Sequence, residues 1–167
     1  MDDAAKKTTL RMIPYGIYVL TSDDGKGNVG AATVNWVTQS SFAPPLVVVG
    51  VKADSGAHTV VKGTGKFTLN MLGKDGKGAA FAFFKPAKVE DGKINGFGFK
   101  AGGNGCAILD IAIAAVECSV KQVLEMGDHS VVVAEVTEAH LIKAPEGRAD
   151  AAILEMKDLG DTVYYGG

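Results

Sequence analysis

The sequence predicts a mainly β domain in which short antiparallel strands, flanked by a few short helices, wrap into a closed or nearly closed barrel. Three observations point there. Runs rich in β-branched and aromatic residues recur at short intervals and outnumber helical patterns. Val116, Cys118, Val120, Gln122 and Leu124 alternate with Glu117, Ser119, Lys121, Val123 and Glu125, leaving one face mostly apolar and the other mostly polar. Glycine is abundant, 22 of 167 residues, nearly twice the usual ~7 per cent, as tight turns and close backbone approaches require. Among antiparallel arrangements, a barrel is the one that leaves no free sheet edge.

The elements follow in order. After a short polar arm, Ile13 to Thr21 reads as a strand, Asp23 to Asn28 as a glycine-bearing turn, and Ala32 to Thr38 as a second strand, together a hairpin. Ala43-Pro44-Pro45 stops the ladder. Leu46 to Val51 is an apolar run of strand length, as expected of a strand covered on both faces. Asp54 or Ser55 caps a short helix through Lys62, with Gly63 and Gly65 beyond its end, and Phe67 to Leu72 returns as a strand. Ala79 to Phe84 has room for one to two helical turns. Lys85 to Gly105, punctuated by Gly and Pro, reads as a long irregular excursion of the kind that often carries function. The alternating strand then turns at Met126-Gly127-Asp128-His129 into an antiparallel neighbour over Ser130 to Ile142.

Length and composition bound the rest. At 167 residues, with no linker or repeat, residues 1–167 form one domain. Hydrophobic residues at 47 per cent and a formal charge of -2 exclude a disordered chain, and also a nucleic-acid binder that relies on large positive charge. Met1 to Lys7 lacks the basic and apolar regions of a secretory signal, so a cytoplasmic location is expected. No apolar run reaches membrane-spanning length. Cys106 and Cys118 match no zinc or redox spacing and read as buried thiols, and His58, His129 and His140 form no close-spaced ligand pair, so no metal site is expected.

Two glycine motifs read as punctuation. Gly25-Lys26-Gly27-Asn28-Val29-Gly30 fits G-x-G-x-x-G, but a strand follows where a dinucleotide fingerprint needs a helix. Gly63-Thr64-Gly65-Lys66-Phe67 resembles the end of a phosphate loop, yet Phe67 stands where a magnesium-binding Ser or Thr belongs. No nucleophile motif is present, which argues against a hydrolase.

What carries chemistry is a polar cluster set among apolar strands. Thr33, Asn35, Trp36, Thr38 and Gln39 lie in one segment; Lys52, Asp54, Ser55, His58 and Thr59 surround a helix start. A helix N-terminus with hydroxyls, free N–H groups and a lysine suits a phosphate, and Asn, Thr, Gln and an indole suit a flat heteroaromatic ring. Together they suggest a flavin or another nucleotide. The alternative is that Ser55 and Asp54 only cap the helix and Trp36 only fills core.

The sequence resembles the flavin reductase-like family of FMN-binding split-barrel proteins, its flavoredoxin and ferric reductase branch included. The resemblance is carried by P-Y-G-I-Y-V-L-T at Pro14 to Thr21, T-V-N-W-V-T-Q at Thr33 to Gln39, the A-P-P-L-V turn, K-A-D-S-G-A-H at Lys52 to His58, F-T-L-N-M-L at Phe67 to Leu72, and G-D-H at Gly127 to His129 before V-V-V-A-E-V. It implies an antiparallel Greek-key split β-barrel and an NAD(P)H-dependent flavin or ferric reductase that passes hydride from NADH or NADPH to flavin N5. By similarity, Thr33, Asn35, Trp36, Val37, Thr38 and Gln39 line the FMN ring; Lys52, Ser55, His58 and Thr59 hold its phosphate; His129 orients the nicotinamide or the flavin. It also implies a homodimer, with Tyr164 and Tyr165 either covering a ring at the subunit interface or packing as a tail. The alternative function is an FMN-containing electron carrier reduced by a partner protein. Gly56-Ala57 and Ala134 depart from the family pattern, the first beside the implied phosphate site.

Overall fold

The computed structural model describes residues 1–167. Helix α1 (Asp3–Leu10) precedes strands β1 (Tyr18–Asp23), β2 (Val29–Val34), β3 (Val37–Ser41) and β4 (Leu46–Lys52). Helix α2 (Gly56–Thr64), β5 (Lys66–Leu72) and α3 (Lys77–Ala82) follow. The short strands β6 (Val89–Glu90), β7 (Lys93–Ile94), β8 (Phe97–Ala101) and β9 (Ala107–Leu109) lead into the long pair β10 (Ala112–Glu125) and β11 (His129–Leu141). One turn of helix, α4 (Ala149–Ala152), and a 3-10 turn at Met156–Leu159 complete the order. No helix is long and apolar enough to cross a membrane.

The main sheet is antiparallel throughout, in the order β2-β1-β5-β10-β11-β4-β3. Its two edge strands, β2 and β3, are separated only by Asn35 and Trp36, and Gly50 N–H of β4 donates to Trp36 C=O at 2.8 Å. A seven-stranded sheet whose edges are joined by two residues has to curl until those edges meet, which is the nearly closed barrel that the sequence predicts. One apolar cluster, built on Leu20, Val49, Val61, Phe67, Leu69 and Val132, joins the barrel strands to α2. A second, around Ile17, Leu72, Phe83, Leu109, Leu154 and Leu159, seats the small β6-β7-β8-β9 sheet and the C-terminal turn.

Several expectations need correction. The polar arm is helix α1, opened by the Asp2 carboxylate accepting from Ala5 N–H; it buries none of its side chains. The first strand starts at Tyr18, because Ile17 N–H is taken by Leu154 C=O, a partner far along the chain. The expected strand from Ala32 to Thr38 is two strands broken at Asn35-Trp36. Strand β4 is fully buried only at Val49 and Val51, so it is not covered on both faces. Gly63 lies inside α2, while Gly65 makes the left-handed C-cap at φ +67°. The Lys85 to Gly105 excursion is not wholly irregular, since it contains the short strands β6, β7 and β8.

The alternation in β10 fails part-way for a local reason. The ladder to β11 shifts register between Glu117 and Cys118 and again between Val120 and Gln122, leaving Lys121 unpaired. An extra residue flips every side chain after it to the other face. Val123 therefore packs on the core and Leu124 is exposed; Glu117, which precedes the extra residue, is buried under the loop that carries Gly103 and Asn104. In the glycine motif, Gly25 and Gly27 take positive φ in the turn and Gly30 meets α2, so the three glycines serve turn and packing.

Candidate functional site

The break between β2 and β3 falls at Asn35 and Trp36. Asn35 is buried, and its Nδ2 donates to the C=O of Tyr165 at 3.0 Å. The Trp36 indole stacks at a tilt on His129, with ring centroids 4.5 Å apart, and lies 5.5 Å from the Tyr165 ring. It can settle there because residue 50 is glycine: a Cβ on Gly50 would lie 3.1 Å from Trp36 Cβ and Cε3. Trp36 Nε1 is buried without a hydrogen-bond partner, a donor that the protein leaves open.

Strand register brings His129 to the same place, since His129 and Lys52 face each other where β11 meets β4. His129 Nδ1 lies 2.9 Å from Asp128 Oδ1 and Nε2 lies 2.7 Å from Tyr165 Oη. With Nδ1–H donating to Asp128, Nε2 accepts from the phenol. The His129 bond holds the Asp128 carboxyl below its usual range. Burial pushes the Tyr165 phenol up, with Lys52 opposing, so it remains a donor at neutral pH.

Helix α2 opens just beyond Lys52. Ser55 is its N-cap: Oγ accepts from His58 N–H at 3.1 Å and donates to Lys52 C=O at 2.7 Å. Lys52 Nζ pairs with Asp54 at 3.1 Å, which raises the lysine above its usual range. The small residues in this helix have a packing reason: a Cβ on Gly30 would lie 2.9 Å from Ala57 Cα and 3.0 Å from Val60 Cβ, so β2 and α2 touch backbone to backbone.

These groups converge on a cavity of about 400 Å³. Of the expected site residues, Thr33, Asn35, Lys52, Ser55 and His129 line it; Trp36 is outside the lining and packs against His129. Thr33 Oγ1 is already given to Ala80 C=O at 2.7 Å. Val37, Thr38 and Gln39 sit on β3 outside the lining, with Thr38 and Gln39 exposed. His58 is buried, its Nε2 bonded to Ser130 Oγ at 2.9 Å, and Thr59 is exposed on α2. The structure adds Gly50, Phe83, Phe84, Met156, Val163, Tyr164 and Tyr165. Of these only Gly50, a glycine inside a strand pattern, and the tyrosine pair carried a local signal. A neighbouring cavity of about 440 Å³, lined by Arg11, Tyr15 and Lys157 among others, shares Met156, Val163, Tyr164 and Tyr165 with the first.

Residues 10–165 match the family model described as flavin reductase like domain. The chain belongs to the flavin reductase-like family. A flavin reductase of Pseudomonas putida is 28% identical over 132 residues, covering 79% of this chain and 76% of the relative. Diflavin flavoprotein A 1 of Synechocystis is 29% identical over 143 residues, covering 85% of this chain and 25% of the relative. The chain spans less than half the length of several curated relatives that it matches, 43%, 22% and 25%. Among solved structures of flavin reductase-like proteins, the styrene monooxygenase flavin reductase of Pseudomonas putida matches with TM-score 0.69 and 27% identity, over 82% of this chain and 86% of that one. The NADH:FAD oxidoreductase of Streptomyces globisporus, solved with NAD and FAD fragments, matches with TM-score 0.66 and 26% identity, over 77% and 76%.

Proposed function

We propose that the protein is an NAD(P)H-dependent flavin reductase whose flavin, FMN, lies in the cavity between Asn35, Trp36, Ser55 and His129. The observation that supports this most is a mainly apolar cavity where Asn35, Lys52, Ser55 and His129 meet, with the Trp36 indole, its Nε1 buried and unpartnered, packed behind His129. That donor set fits the group: few polar contacts at fixed places, an indole face, and a cation at a helix start. Bound there, the flavin supplies the hydride-accepting chemistry, and the protein supplies position and electrostatics. Asn35 and Trp36 offer donors to the ring edge. Lys52 and the first N–H groups of α2, which have no helical partner, favour a phosphate. His129, fixed on one side by Asp128, presents Nε2 to the nicotinamide side. Roles for Val37, Thr38, Gln39, His58 and Thr59 would require contacts beyond the cavity lining.

The reading extends to a cytoplasmic homodimer. Exposed Phe42, Met126 and Leu141 offer apolar contact area, and Cys106 and Cys118 are free, buried thiols; burial pushes Cys118 up to about 12, keeping it protonated. Sedimentation tests the dimer. The second reading, an electron carrier reduced by a partner protein, is supported by the likeness to diflavin flavoprotein A 1, of which this chain spans 25%.

The test is an anaerobic absorbance spectrum with FMN, before and after NADH and then NADPH. Flavin bands that bleach with either nucleotide are expected. A bound flavin that ignores both would favour the carrier, and failure to bind FMN would overturn the site.

A further inference from the structure

The groups assigned to the ring already have a partner, and the chain itself provides it. Asn35 Nδ2 donates to Tyr165 C=O, His129 Nε2 meets Tyr165 Oη, and the Tyr165 ring lies against both Trp36 and His129, at 5.5 and 5.7 Å between centroids. A carbonyl under an amide donor, beside an aromatic ring tilted on an indole, is what a planar ring bearing carbonyls would place there.

Few contacts hold this segment. Arg11, the C-cap of α1, places its guanidinium 4.2 Å from the Tyr164 ring centroid and donates from Nε to Gly166 C=O at 3.2 Å. Tyr164 and Tyr165 are 53% and 43% exposed, and Gly166 takes φ +132°, a conformation that gives the chain a pivot. The helix that carries Arg11 has no buried residue, so the tether itself is shallow.

We propose that Tyr165 is a displaceable occupant of the ring site, tethered through Arg11, which an incoming planar heteroaromatic ring must dislodge from Asn35, Trp36 and His129. The inference rests on the ring-site reading above and adds a specificity-determining residue to it. Tyr165 lowers the apparent affinity of the site by the fraction of molecules in which it is seated. Only a ligand that replaces the Asn35 bond and the indole contact recovers that loss, so the residue discriminates against rings without a carbonyl edge.

Trp36 is the sole tryptophan, so its emission reports the site directly. In ligand-free protein, Tyr165→Ala and Arg11→Ala are expected to red-shift Trp36 emission and raise its quenching by acrylamide. Titrated with FMN, both variants should bind about three- to tenfold more tightly than the parent, the factor that one net hydrogen bond is worth. Tyr165→Phe, which loses only the His129 bond, should gain about twofold. A residue that merely supports the fold would lose affinity when removed. Arg11 lies outside the ring cavity and is partly exposed, so Arg11→Ala keeps the test open if Tyr165→Ala fails to fold. If the parent binds FMN and the variants bind equally or more weakly, Tyr165 is not a competing occupant. If neither parent nor variants bind FMN, the ring-site reading fails and this inference fails with it.

Discussion

Strand β11 carries a histidine towards each end, and each end ties down a loop in a different manner. Near the His140 end, Glu117 is 3% exposed and its carboxylate accepts from Gly103 N–H at 2.8 Å, Asn104 N–H at 2.6 Å and His140 Nε2 at 2.8 Å. Asn104 passes the connection on, donating from Nδ2 to Phe67 C=O and accepting at Oδ1 from Cys106 N–H. A Cβ on Gly102 would meet Glu117 Oε1 at 2.7 Å, so the loop is fitted around the carboxylate. At the other end, His129 and the buried Asn35 hold Tyr165, itself 43% exposed, at the rim of a cavity that all three line. A network whose acceptor is buried and fully used is structural; one at an open rim can exchange partners.

The sharpest way to break this comparison is Glu117→Ala. It strands two backbone N–H groups in a buried place and should cost about 3 kcal/mol, read from the urea midpoint. Trp36 emission and FMN affinity of the folded protein should stay as they were. A variant with near-normal stability and altered Trp36 emission would show that the two ends are one unit. The same end predicts the acid behaviour. Burial pushes the Glu117 carboxyl up, but the His140 bond and the two N–H groups outweigh it, so it titrates below the usual range. The folded state then binds fewer protons than the unfolded state, and stability rises with pH across that window. The contribution is complete above the unfolded value of about 4.3 and is lost as pH falls through the folded value. Urea midpoints measured downward from pH 5 should drop for the parent more steeply than for Glu117→Gln.

The two ends were also unequally legible. Ser55 as a cap, the apolar strand from Leu46 and the strand from Phe67 follow local rules, and they appear where those rules put them. Helix α1 obeys local rules too: Asp2 caps a stretch of Ala and Lys, both good helix formers, which its polarity masks as an arm. The break at Asn35-Trp36 has no such signal, because Trp36 already follows the register of β3 on β4, through Gly50, while Val34 still follows that of β2 on β1, and both pairings are long-range. Nor could spacing show that Asn35 and His129 share Tyr165, which is 130 and 36 residues away. The burial of Glu117 depends on a loop from Gly102 to Asn104 that closes over it, which no alternation pattern marks. Of the ring site, then, the residue types were readable and their common partner was not.

A change in the packing of α2 on β2 has the next largest effect. In Gly30→Ala the new methyl lies 2.9 Å from backbone, which cannot yield as a side-chain tip can, so α2 must shift off β2. The expected cost is about 1–3 kcal/mol in a urea titration. The same shift moves the Ser55 end relative to His129, so FMN affinity should fall as well. Lost stability with unchanged FMN affinity would show that the start of α2 takes no part in binding.

The smallest change in stability tests that start directly. Ser55→Ala removes the acceptor for His58 N–H and the donor to Lys52 C=O, and should cost about 1 kcal/mol, the usual value of an N-cap hydroxyl. Its consequence for binding separates phosphate from ring. Ser55 and Lys52 line the cavity at the start of α2, where FMN can place a phosphate and riboflavin has no such group. Titrations of Ser55→Ala should therefore show weaker FMN and unchanged riboflavin, whereas Asn35→Ala should weaken both alike. Equal losses of FMN and riboflavin in Ser55→Ala would mean that the cap acts by holding the cavity wall through Lys52, and the phosphate would have to lie elsewhere on the rim.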